Sequence, residues 1–411
     1  MKNRLNTYIR RIDNAVGSSY GASATAFFSV IILATLFMPY ALDDIYARRA
    51  FVGALVVYPE LPPSRAAHVQ SPEAVRAVYL TQCALATKRY RESVIRLINE
   101  TELNAVVVDI KDYTGTIAFA SDHALLRENG GDGCRAGDLS AIADEFHEYG
   151  IYIIGRITVF QDPWYALKHP EIAVQKESDR TVWSDYKGLH YIDPGAEDIL
   201  AYIVAVGQEA WRLGIDELNF DYIRFPSDGN MKDIYYPVSE ENIISDPLLG
   251  KAQVMRTFFA GLAERLAGAR ADGAVLSADL FGMTTTNNDD LNIGQILEYA
   301  EPYFDYLSPM VYPSHYPPRF IGYDNPNHYP YEVVKYAMDR GVYRLVAASS
   351  TPKKLRPWLQ DFDYGGRYDA EKVRAQIQAV YDAGLNSWML WDPAVRYERD
   401  ALLTERTVNG E

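Results

Sequence analysis

Asp221 stands near the end of an apolar, aromatic run that stops at Pro226, with Arg224 three residues further on. A buried strand ordinarily excludes both charges, because an ionised carboxylate is costly to desolvate unless it is paired or used. Two readings follow: a structural Asp221–Arg224 ion pair, or a carboxylate placed for chemistry at a strand end. Asp279, in Ser277-Ala-Asp-Leu-Phe-Gly282, and Asp109, at the end of residues 105–110, occupy matching places. Packing explains one such acid, whereas three on separate runs argue for a site. Two carboxylates facing each other across a sugar suffice for glycoside hydrolysis: one protonates the leaving oxygen while the other attacks the anomeric carbon or activates water. Their environments must differ, so that one is ionised while the other keeps a proton. The Arg224 cation favours Asp221 as the ionised partner, and the apolar neighbours Ala278 and Leu280 favour Asp279 as the acid. Tyr312, His315, Trp358 and Trp391 would supply stacking faces and hydrogen bonds, against the plainer reading of rim packing.

Rival chemistries have weaker support. None of the seven histidines falls in a His-x-His or His-Glu-x-x-His spacing. An oxygen-only cation site from Asp109, Asp112, Asp221 and Asp279 stays open as an alternative, but no metal or other cofactor is expected. Residues 130–133 are glycine-rich without a P-loop lysine, and a Gly-x-Ser-x-Gly elbow is absent.

The elements that must position these residues alternate strand and helix. Apolar runs at 75–81, 105–110, 151–160, 217–226, 274–281, 305–312, 355–361 and 386–391 read as eight strands, the seventh weakened by Pro357. Amphipathic segments at 88–102, 139–149, 196–213, 251–267, 293–303, 331–348 and 370–383 read as seven helices. This pattern is α/β, a (β/α)8 TIM barrel, and its acids collect on the strand ends where barrel enzymes place catalytic groups. Little chain follows residue 391, so an eighth helix is not expected.

With 411 residues, 48% hydrophobic content and 31 tyrosines, the chain can fill one large core. The net charge of −15, with no Lys/Arg cluster in the body of the chain, disfavours a nucleic-acid partner. Residues 1–45 read as a cytoplasmic basic stretch and a transmembrane anchor, because Lys2, Arg4, Arg10 and Arg11 precede a charge-free run over 16–42 and Asp43 and Asp44 follow it. A cleaved signal peptide is the competing reading. Either places the body outside the cytoplasm, single-pass at the cell membrane or secreted. Residues 46–72 read as a Pro-containing linker and 73–402 as the barrel domain. Cys83 and Cys134 fall on loops that can meet, and pairing or two free thiols are both open.

Five stretches occur in order: Val108-Asp-Ile-Lys-Asp-Tyr-Thr-Gly115, Asn219-Phe-Asp-Tyr-Ile-Arg-Phe-Pro226, Ser277-Ala-Asp-Leu-Phe-Gly282, Ser308-Pro-Met-Val-Tyr-Pro-Ser-His315 and Arg356-Pro-Trp-Leu-Gln-Asp361. Together they resemble the family described as "putative glycosyl hydrolase domain", over roughly residues 73–400. The resemblance implies a barrel distantly similar to α-amylase-type glycosidases, with the aspartate ending strand four, Asp221, as nucleophile. The acid ending strand five is a glutamate in the amylase group and Asp279 here, with Asp109 in reserve. Lys111 and Gln360, on the same stretches, join Asp109, Arg224, Tyr312, His315, Trp358 and Trp391 as substrate-binding candidates. The expected function is hydrolysis or transfer of glycosidic bonds in a cell-envelope or exported polysaccharide. The alternatives are an inactive glycan-binding barrel and a divalent-metal hydrolase. Acids on adjacent strands lie close, which predicts retention of anomeric configuration.

Overall fold

The computed structural model describes residues 66–404. The expected membrane segment and most of the linker lie outside them. Among the described residues, no helix is long and apolar enough to cross a membrane.

Eight parallel strands close in sequence order, β8 pairing with β1 through Arg76 and Trp388. They are β1 (Arg76–Leu80), β2 (Ala105–Lys111), β3 (Tyr152–Thr158), β4 (Glu217–Asp221), β5 (Val275–Phe281), β6 (Tyr306–Met310), β7 (Trp358–Gln360) and β8 (Trp388–Trp391). The principal crossover helices are α1 (Lys88–Asn99), α2 (Leu139–His147), α3 (Glu197–Arg212), α4 (Gly250–Arg265), α5 (Leu297–Ala300), α6 (Pro330–Ala347) and α7 (Ala370–Asp382). Every residue of β2, β3 and β4 is buried, as expected of strands covered on both faces. Alternate side chains serve two cores. Val106, Val108, Ile153 and Leu218 pack outward against the helices, while Tyr79, Val107, Tyr152, Ile154 and Met389 fill the interior. Register then sets the polar layer: Asp109 lies opposite Arg156, Arg156 opposite Asn219, and Asn219 opposite Ser277. Asp221 and Asp279 stand one inward step higher on β4 and β5.

Several boundaries differ from expectation for local reasons. β4 stops at Asp221 instead of running on to Pro226, because Tyr222 takes a left-handed backbone (φ 51°) that turns the chain. β7 keeps three residues, since Pro357 has no N–H for the ladder. The helix expected over 293–303 shrinks to α5, followed by a 3₁₀ turn around Pro302. Among the described residues no eighth α-helix follows β8, only a 3₁₀ turn at Arg399–Ala401. That face is closed instead by the segment around Leu403, whose N–H donates to Glu102 (3.0 Å) and whose carbonyl accepts the Glu102 N–H (2.9 Å). Cys83 and Cys134 form a disulfide that ties the loop after β2 to the segment after β1. The described end of the linker is irregular but fixed: Val69 N–H donates to Asp216 (2.9 Å), and His68 stacks on Trp211 with ring centroids 3.6 Å apart.

Candidate active site

The C-terminal tips of β3–β8 surround a cavity of about 370 Å³. Of the residues expected to bind or act, Asp221, Asp279, Arg224, Tyr312, His315, Trp358 and Trp391 line it.

Arg156, from mid-β3, is the centre of the site. Its Nη1 donates to Asp109 at 2.6 Å, its Nε to Asp221 Oδ2 at 2.9 Å, and its Nη2 to the same Asp221 oxygen. The Nε also stands 3.9 Å from Asp279 Oδ2. One planar guanidinium thus orders three carboxyls, the fork geometry that arginine supplies and lysine does not. Asp221 Oδ1 accepts the N–H of Tyr222, so the left-handed turn that ends β4 also fixes the carboxylate.

Asp279 is held differently. Its Oδ1 accepts Asn219 Nδ2 (2.9 Å) and Trp358 Nε1 (2.8 Å), while its buried Oδ2 has no hydrogen-bond partner. Burial pushes its pKa well above the ordinary carboxylate range, the negative charge of Asp221 pushes it further, and Arg156 opposes both. The two carboxyls therefore differ in kind. Asp221 carries a cation on one oxygen, whereas Asp279 has one oxygen without a partner and a pKa raised by burial and by Asp221. Because Asp221 Oδ2 and Asp279 Oδ2 share the Nε of Arg156, their separation cannot exceed the sum of those two distances, about 6.8 Å.

The aromatic wall follows from β6–β8 and their loops. Tyr312 meets Phe362 edge-on at 5.5 Å, and His315 stacks on Tyr364 at 5.8 Å. Burial lowers the pKa of His315, which keeps its imidazole neutral. Trp391 stacks on Tyr79 (3.9 Å) with the Arg156 guanidinium 5.0 Å from its ring. Burial, and then the charges of Asp279 and Asp221, raise the pKa of the Tyr312 hydroxyl well above its usual value, so it keeps its proton.

Four expectations change. Arg224 is not the partner of Asp221: the turn at Tyr222 carries it outward, where it donates to Ser227 Oγ (2.9 Å) and lies over the Tyr222 ring (4.9 Å). Lys111 does not face the cavity, because a register shift in β2 sends its fully buried amine to Asp162 at 2.9 Å. Gln360 is likewise sealed off. It accepts from Ser314 Oγ (2.8 Å) and donates to the Phe362 carbonyl (3.0 Å), tying together the loops that carry His315 and Phe362. Asp109 sits behind Arg156, bonded to it and to the Tyr79 hydroxyl, and is absent from the cavity lining. For the oxygen-only cation site, the guanidinium of Arg156 already stands between three of its four carboxyls, those of Asp109, Asp221 and Asp279. Among the described residues no group of three His, Cys, Asp or Glu could hold a metal.

Sequence reasoning missed Arg156, Tyr222, Lys187 and Phe362. Arg156 had a signal: a charge in the buried run Ile153-Ile-Gly-Arg-Ile-Thr158 is as anomalous as a buried carboxylate. Tyr222 and Lys187 had none, since their placement depends on loop conformation.

Residues 77–397 match the family described as "Putative glycosyl hydrolase domain". The chain belongs to this family. Among solved structures, a hypothetical protein from Ruminiclostridium thermocellum ATCC 27405 is 32% identical over 49% of this chain and 96% of its own, with a TM-score of 0.40. The PgaB (BpsB) glycoside hydrolase domain from Bordetella bronchiseptica aligns over 80% of this chain and 99% of its own (15% identity, TM-score 0.58). Alpha-L-fucosidase isoenzyme 2 from Paenibacillus thiaminolyticus aligns over 80% of this chain and 48% of its own (14%, 0.52). These last two likenesses are of fold. No curated protein matches the chain.

Proposed function

We propose that this glycosyl hydrolase domain cleaves or transfers glycosidic bonds with retention of configuration, Asp221 acting as nucleophile and Asp279 as general acid. The observation that carries the reading is the asymmetric pair: Asp279 with Oδ1 pinned by two donors and Oδ2 free, within about 6.8 Å of the guanidinium-bound Asp221. That bound includes the roughly 5–5.5 Å of retaining pairs and reaches only the lower edge of the roughly 6.5–9.5 Å at which inverting pairs leave room for a water.

In the first half-reaction Asp221 attacks the anomeric carbon while the Asp279 proton passes to the leaving oxygen. Forming the ester removes the negative charge of Asp221, one of the two causes that hold the Asp279 pKa high. Asp279 then ionises more readily and takes a proton from the incoming water or acceptor hydroxyl. One pair of groups serves both halves because each sets the other's charge.

The reading extends to compartment. The Cys83–Cys134 disulfide supports an oxidising environment, and the basic flank and charge-free run at residues 16–42 support an anchor with the barrel outside the cytoplasm. A cell-envelope or exported polysaccharide is the substrate class that location offers. The test is a polysaccharide and oligosaccharide panel incubated with wild-type protein and with Asp221→Asn. Reducing ends should appear with the wild type and fall at least about a thousandfold in the variant, the scale of losing a nucleophile. Binding without turnover by either protein would refute hydrolysis.

A further inference from the structure

The cavity has two walls of opposite character. Tyr312, His315 and Phe362 form one, while Lys187, from the loop after β3, and Arg224, just after β4, stand on the other. Neither cation has a carboxylate within 4.0 Å of its charged nitrogens among the described residues. Arg224 is half-buried and answered only by neutral groups: Ser227 Oγ at 2.9 Å, the Phe225 carbonyl at 3.2 Å and the face of Tyr222. The nearby Asp185 carboxylate turns one oxygen to the backbone, its Oδ1 accepting the N–H groups of Lys187 (2.8 Å) and Leu189 (2.9 Å). This happens in a chain of net charge −15, whose other cavity-lining cation, Arg156, is saturated with carboxylates.

Charge accounting inside the cavity sharpens the point. The carboxyls in its lining are those of Asp221 and Asp279. Arg156 is shared between Asp221 and Asp109, whereas Lys187 and Arg224 have no carboxylate partner and are available to an incoming anion. A half-buried arginine without a counter-ion is unfavourable in the empty cavity and favourable once an anion arrives.

We infer that the sugar bound beside Lys187 and Arg224 carries an anionic substituent, a carboxylate or sulfate on the ring, with its apolar face toward Tyr312 and Phe362. This rests on the glycosidase reading of the same cavity and names the class of glycan within it. The Arg224 fork suits the two oxygens of a planar carboxylate, and Lys187 supplies a mobile second charge.

The experiment measures binding of matched oligosaccharides to the full chain carrying Asp221→Asn, so that turnover does not interfere. The arms are hexuronate-containing oligosaccharides, their carboxyl-reduced neutral counterparts, sulfated oligosaccharides, and the desulfated forms of the latter. Binding should concentrate on acidic members. Neutralising the substituent should weaken it by about tenfold or more, the scale of one hydrogen-bonded charge. Adding Arg224→Gln or Lys187→Gln should cost several-fold against acidic members and nothing against neutral ones, with Arg224→Lys recovering part of the loss. Preference for the carboxylated or the sulfated arm identifies the anion. Equal binding of acidic and neutral members, acidic binding untouched by both Gln variants, or no binding of any acidic member would each overturn the inference. Wild-type turnover separates the two ideas. Charge-selective binding without cleavage would sink the hydrolase reading alone, whereas cleavage of neutral and acidic glycans at equal rates, with the acidic rate indifferent to Arg224→Gln, would sink this one alone.

Discussion

Arg156 and Asp279 concentrate the chemistry, and each makes a distinct demand on mutants. Arg156→Met leaves Asp109, Asp221 and Asp279 buried without a cation, so it should cost both fold stability and rate. Arg156→Lys keeps the charge but cannot reach Asp109 and Asp221 through separate nitrogens of a rigid fork. The lysine variant should therefore fold, with kcat/KM down about a hundredfold because the nucleophile loses its orientation. Wild-type rate in the lysine variant would remove Arg156 from the mechanism. Asp279→Asn has a different signature. It should slow substrates with poor leaving groups far more than activated aryl glycosides, since only the former need the proton. In the wild type the acid works while protonated, so activity should fall as pH rises through its elevated pKa. That alkaline limb should vanish in Asp279→Asn assayed on an aryl glycoside; a limb that persists there would assign it to another group.

Individual strands and loops show how much was legible in advance. The eight strands were readable because both faces of each are apolar, and the three acids stood out as exceptions to that rule. Arg156 breaks the same rule, but from the middle of its strand, two residues short of the tip where the acids stand. Arg224 was misassigned for a different reason: pairing it with Asp221 assumes that the strand runs straight, and the left-handed Tyr222 breaks it there. The β2 register shift that buries Lys111 is equally invisible in composition. Asp361, just beyond β7, carries a testable cost of this rim. Its Oδ1 has no partner, and burial, aided by the negative charges of Asp392 and Glu398, raises its pKa from 3.8 to about 8. Below pH of about 4 both folded and unfolded chains hold that proton. Between there and about 8 only the folded chain does, so this contribution to stability is lost as pH rises across that window. Asp361→Asn keeps an acceptor for the Glu398 N–H and should raise stability at pH 8 by roughly 1–3 kcal/mol, with no gain at pH 4. Thermal denaturation at the two pH values checks this, and an equal shift at both would show that the carboxyl does not titrate as stated.

For the whole molecule, barrel closure converts sequence order into catalytic geometry. β4 and β5 are adjacent and parallel, so their last inward residues must meet at one mouth, and the register places Arg156 of β3 beneath them. The aromatic wall comes from β6–β8 and the cationic side chains from the chain after β3 and β4, and the proposed substrate position is between them. The separation of the pair, the asymmetry of the two carboxyls and the proposed reciprocal control of their charges favour retention. The most direct measurement is the anomeric configuration of the first-formed product, followed by NMR before mutarotation, on the best substrate from the panel. Retention, accompanied by a trappable glycosyl ester on Asp221, is the predicted result. An initial product of inverted configuration would contradict the account.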